Sequence, residues 1–139
     1  MILRLRLRTC LRKAKFLTHE MSVSFWKTIT EAAATNLITI DGPKGTAHPE
    51  SPELLYPYNY GDIENTFAGG GEGMDVWFGS SNDKMLTGIL CMFDRLKRDA
   101  EIKILIGCTH EDIETIRNFN DNMQTLFLPN SMVADDFSG

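Results

Sequence analysis

The chain has 139 residues, of which 42% are hydrophobic and 24% charged, with 11 glycines, 5 prolines and a formal net charge of −5. That length fits one domain whose core needs no disulfide staples. The ordinary composition argues against disorder or collagen-like repetition, and no apolar run reaches the roughly 18 residues of a membrane span. An acidic balance also argues against a nucleic-acid binder, which draws most of its non-specific affinity from a basic face.

Residues 1–20 differ from the rest of the chain. Arg4, Arg6, Arg8, Arg12, Lys13 and Lys15 fall there with no acid among the first 15 residues. The arginines interrupt the apolar stretch that a secretory signal requires. The segment reads as a basic leader or upstream extension, ahead of a single domain over residues 21–139. A mitochondrial-type leader is the alternative. Cys10, Cys91 and Cys108 make an odd count without a Cys-x-x-Cys pair, which suits reduced thiols, with Cys91 and Cys108 as small core residues.

Ser24 is a candidate cap for a short helix carrying Phe25, Ile29 and Ala33 at four-residue spacing, with Trp26 beside them, ending near Asn36. Leu37 to Ile40 is β-prone, and Asp41 to Gly45 is a turn. Leu54 to Gly61 is aromatic and extended, and Gly69 to Gly73 is a loop. Asp75 to Phe78 and Met85 to Phe93 read as strands, joined to a third by the charged connection Asp94 to Asp99. In that third strand, Ala100 to Ile106, Ile102, Ile104 and Ile106 alternate with Glu101, Lys103 and Leu105, a half-buried pattern. Thr109-x-x-Asp112 is a capping box before a helix with Ile113, Ile116, Phe119 and Met123 on one face. Leu126 to Leu128 docks on the core. These elements predict an α+β domain: a small closed or curled antiparallel β-barrel (OB-like) with a C-terminal helix and a short N-terminal helix.

The glycine loop leads into a strand and lacks a following Gly-Lys-Ser/Thr, so it is neither a P-loop nor a dinucleotide fingerprint. Its functional interest lies in Glu72 and Asp75, since Asp75 opens an apolar strand where a charge is otherwise unexpected. Asp94 and Asp99 bracket the later connection, either as a solvated turn or as carboxylates that join the first pair at one mouth of the barrel. Oxygen ligands of that kind suit hard cations carried with phosphates.

Tyr56-Pro57-Tyr58-Asn59-Tyr60-Gly61-Asp62-Ile63, then Thr66, then Gly71-x-x-x-Asp75-Val76 resembles the heart of the soluble inorganic pyrophosphatases. Asp94-x-x-x-x-Asp99-Ala100 matches that family's second metal-binding pair, and Ile40 to Pro49 resembles a shorter bacterial subgroup. The resemblance covers roughly residues 37–129. It implies that Asp75, Asp94 and Asp99 hold Mg²⁺ (Mn²⁺ as substitute) and that Glu72 positions or deprotonates the attacking water. It also implies that Tyr60, Lys44 and Arg98 meet the substrate, pyrophosphate. A cytoplasmic homo-oligomer that engages neither nucleic acid nor membrane is implied with it. Three places depart from the pattern: Gly70 stands where the family has its first motif aspartate, Glu101 where it has a phosphate-binding lysine, and near Asn122-Met123-Gln124 the family's Tyr-Lys pair is absent. Arg95, Lys97, Arg98 and Lys103 are candidates to replace that positive charge, with a solvent-exposed role as the alternative for each. His48 reads as a loop histidine.

Two functions compete on this basis. One is Mg²⁺-dependent hydrolysis of pyrophosphate to two phosphates. The other is a degenerate member of the fold that binds a phosphorylated ligand or a partner without catalysis. An oligonucleotide-binding barrel fits the strand pattern, but the acidic charge opposes it.

Overall fold

A computed structural model describes residues 15–69 and 71–133, with side chains from residue 20 onward. Cys10, Gly70 and most of the basic segment lie outside the described residues. The elements run α1 (Lys15–Thr35), β1 (Ile38–Gly42), β2 (Asn59–Ile63), β3 (Met74–Phe78), β4 (Leu86–Asp94), β5 (Asp99–Ile106), α2 (His110–Phe119) and β6 (Gln124–Pro129). The α+β class is as expected. The sheet, however, is open, with order β1-β2-β3-β5-β4-β6, and β3 pairs with β5 in parallel. Of the two expected forms, closed or curled, the closed barrel is excluded and the curled sheet stands, with one parallel pair in place of a wholly antiparallel order.

The sheet is two antiparallel ribbons joined by a short seam. One ribbon is β1–β2–β3 and the other β5–β4–β6. The parallel seam has only three rungs, Val76↔Ile104, Trp77↔Leu105 and Phe78↔Ile106. Upstream of it, β3 stays with β2 down to Met74, while β5 stays with β4 down to Asp99. The sheet forks there. Side chains alternate across a strand, so Val76, Ile89, Ile104 and Ile106 pack on one face with Trp26 and Ile29 of α1. Trp77, Leu90, Met92 and Leu105 pack on the other with Ile113 and Ile116 of α2.

This three-layer arrangement corrects three expectations. Residues 103–106 of β5 are all buried, because a central strand covered on both faces has no solvent side to alternate with. Ser24 lies inside α1 and is not its cap; its carbonyl accepts the Thr28 hydroxyl. The inward stripe of α1 is Trp26, Ile29 and Ala33, with Phe25 half exposed. The α2 capping box, by contrast, forms as expected between Thr109 and Asp112. Cys91 and Cys108 are free thiols. Among the described residues no helix is long and apolar enough to cross a membrane.

Candidate functional site

The fork holds a cleft of about 640 Å³, lined by Phe67, Glu72 and Asp75 on one side and Asp99, Glu101 and Ile102 on the other. Two distant stretches of chain thus bring four carboxylates to one cavity. The loop that delivers Glu72 depends on glycine. Gly71 has φ +83°, a conformation that L side chains rarely adopt, and a Cβ on Gly73 would sit 2.7 Å from Asp62 Oδ2 and 2.9 Å from the Ile63 carbonyl.

Asp75 does not stand alone. It is the register partner of Asp62 on β2, and like charges directly opposite across a sheet destabilise it. Lys103 answers that charge. Its Nζ lies 2.5 Å from Asp75 Oδ2, donates to Tyr60 Oη at 2.7 Å and lies 3.4 Å from Glu101 Oε2. Lys103 is only 8% exposed, and a buried ammonium persists only where it is paired and hydrogen-bonded. Burial, and after it the negative charge of Asp75, pushes the Tyr60 phenol up from its ordinary value. Tyr60 therefore stays protonated and accepts from Lys103. Its ring packs in an aromatic cluster with Tyr56 and Trp77.

Of the residues singled out in the sequence, Glu72, Asp75 and Asp99 line the cleft, and Tyr60 adjoins it through Lys103. The backbone of Asp99 pairs with Asp94 across the β4–β5 hairpin, while its carboxylate forms no hydrogen bond or ion pair among the described residues. Asp94 faces the same side by register with Asp99 but is not part of the lining. Its Oδ1 accepts the amides of Leu96 at 2.9 Å and Lys97 at 3.0 Å, which closes the hairpin turn. The Lys97 amide foremost holds that carboxyl below its ordinary value. Arg98 is exposed in the same turn with φ 54°. Lys44 is exposed, with its Nζ 5.6 Å from the centre of the Tyr58 ring. His48 packs near Tyr56 and Phe119, and its Nδ1 accepts the Glu50 amide.

Lys103, bound to Asp75, and Glu101, in the cleft lining, are the residues that sequence reasoning undervalued, one as an exposed strand residue and the other as a lost lysine. The available signal was a lysine inside the apolar run from Ile102 to Ile106, where an unpaired charge is costly.

The donor set can be tested against Mg²⁺ or Mn²⁺. Its chemistry is right, because Glu72, Asp75, Asp99 and Glu101 all offer hard oxygens. Among the described residues no three acidic, histidine or cysteine side chains gather around one ion position. The carboxylates thus line the cleft without forming an assembled ion cage among the described residues.

No family model matches the chain, and no curated protein sequence matches it either. Among solved structures, it resembles an inorganic pyrophosphatase from the pathogenic bacterium Helicobacter pylori, with a TM-score of 0.50 at 17% identity over 74% of this chain and 89% of that one. An inorganic phosphatase from Anaplasma phagocytophilum aligns with a TM-score of 0.43 at 16% identity, over 66% of this chain and 81% of that one. At such identity the first likeness establishes a shared fold.

Proposed function

We propose that the chain hydrolyses inorganic pyrophosphate in the fork, with a divalent cation as cofactor. The observation that carries this reading is the meeting of Glu72 and Asp75 from one stretch with Asp99 and Glu101 from another around one cleft. When bound, Mg²⁺, or Mn²⁺ in its place, neutralises phosphate oxygens and makes water more acidic; Asp75 and Asp99 are the residues that would hold it. Glu72, exposed at the mouth of the cleft, orients the attacking water and takes up its proton. The water oxygen bonds to one phosphorus, the bridging P–O bond breaks, and the proton ends on a phosphate product. Tyr60 holds Lys103 beside the cleft and, being protonated, does not add to the negative charge near the substrate. Lys44 and Arg98 lie outside the cleft lining, so contact with substrate requires their exposed side chains to swing inward. A cytoplasmic, homo-oligomeric setting belongs to the same reading.

Phosphate release from pyrophosphate tests it. The expected result is metal-dependent release that falls by roughly a hundredfold or more in Asp75→Asn and Asp99→Asn, since phosphoryl transfer relies on positioning and charge neutralisation. Release no greater than that of Asp75→Asn, with either Mg²⁺ or Mn²⁺, defeats the reading. The Lys103–Asp75 ion pair favours a second possibility, a fold that binds a phosphorylated ligand without turnover. Saturable pyrophosphate binding with no phosphate release would identify that case.

A further inference from the structure

Asp75 and Lys103 occupy matching positions on the two arms of the fork. Each is the residue immediately before the first seam rung, Val76↔Ile104. From there the Lys103 ammonium meets oxygens carried by three strands: Asp75 on β3, Tyr60 on β2 and Glu101 on β5. Hard oxygens converging on one positive charge are what a small divalent cation would also seek. A divalent ion at Asp75 would be repelled by an ammonium already there, and both cannot use the same carboxylate fully. The lysine stem is flexible enough to carry its charge elsewhere.

We propose that Lys103 is a tethered competitor for the cation position at Asp75, an inference that rests on the fork being the metal and phosphate site. In the structure the ammonium holds Asp75. A phosphate oxygen entering the fork draws the ammonium away, and Asp75 then becomes available to the metal. Metal and phosphate consequently bind more tightly together than either does alone. The lysine sets that coupling and discourages the cleft from filling with cations in the absence of substrate.

The test is a titration of Mn²⁺ alone into the full chain, with free Mn²⁺ read by electron paramagnetic resonance. Lys103→Met and Lys103→Gln should bind Mn²⁺ on the order of tenfold more tightly than the natural chain, a typical size for coupling between two ligands. Lys103→Arg should bind it as weakly as the natural chain, and Asp75→Asn added to Lys103→Met should abolish the gain. In thermal melts, Mn²⁺ should raise the Tm of Lys103→Met more than that of the natural chain. A purely structural staple predicts none of these differences. The natural chain supplies an arm that does not depend on any variant folding. Inorganic phosphate should tighten its Mn²⁺ binding, after subtraction of a protein-free titration, and that effect should shrink in Lys103→Met. Unchanged Mn²⁺ affinity in folded Lys103→Met and Lys103→Gln, or no phosphate effect in the natural chain, overturns the proposal. Phosphate release reports separately on hydrolysis. Tightening without release leaves the competitor standing and removes the enzyme; release without tightening does the reverse.

Discussion

Asp75 and Lys103 form a partly buried ion pair, with side chains 30% and 10% exposed. Removing one partner of such a pair costs more than the pair itself contributes, because the remaining charge stays desolvated. Asp75→Asn should therefore lower the unfolding free energy by about 2 kcal/mol, read from urea midpoints at unchanged slope, as well as abolish phosphate release. Asp94 behaves differently because its carboxylate serves the turn amides. Asp94→Ala should lower the Tm slightly and leave phosphate release intact; loss of release comparable with Asp75→Asn would return Asp94 to the metal shell. The same turn holds Arg98 at φ 54°, where an L side chain costs roughly 1 kcal/mol. Arg98→Gly should recover about that amount if the position is only a turn, and a rise in KM for pyrophosphate would instead assign Arg98 to the substrate.

At the scale of elements, α2 is held at its start by a reciprocal cap. Thr109 accepts the Asp112 amide, and Asp112 accepts the Thr109 amide. Asp112 is buried at 3% exposure and also accepts the Ser80 amide and hydroxyl. Burial by itself would raise its carboxyl. The donors at Thr109, Ser80 and Tyr58 outweigh it and bring the group from its ordinary 3.8 to about 2. A carboxyl depressed in the folded state adds stability that is complete above the unfolded value and disappears as pH falls through the folded one. The chain should thus lose roughly 2 kcal/mol from this group between about pH 4 and pH 2. Acid titration of the unfolding free energy would show it, and Asp112→Asn should flatten that part of the curve. Thr109→Ala should cost about 1 kcal/mol at neutral pH.

At the scale of the whole molecule, the sheet depends on a helix on each face. Trp26 is 5% exposed against Val76, Ile89 and Ile104, so Trp26→Ala should cost about 3 kcal/mol or more by opening a cavity in that layer. Local chemistry made several features legible without coordinates: the α2 capping box, the strand at residues 74–78, the hairpin between Asp94 and Asp99, and the acidic character of the site. Each depends on neighbours a few residues apart in the chain, and hydrogen bonding or periodicity at that range is written directly in residue order. The open sheet, the parallel β3–β5 seam and the buried β5 core were not legible in this way. They depend on which strands become neighbours after folding, and an apolar run looks the same whether one face or both will be covered. The site divides along the same line. Residue types and spacing nominated Glu72, Asp75, Asp94 and Asp99 as candidates, because carboxylates in loops beside apolar strands are recognisable from the chain alone. That Asp94 turns into its hairpin and Lys103 reaches across the fork to Asp75 was decided by tertiary structure. Only folding sets how far apart two charges lie, and distance and burial determine whether an ammonium is solvated or held.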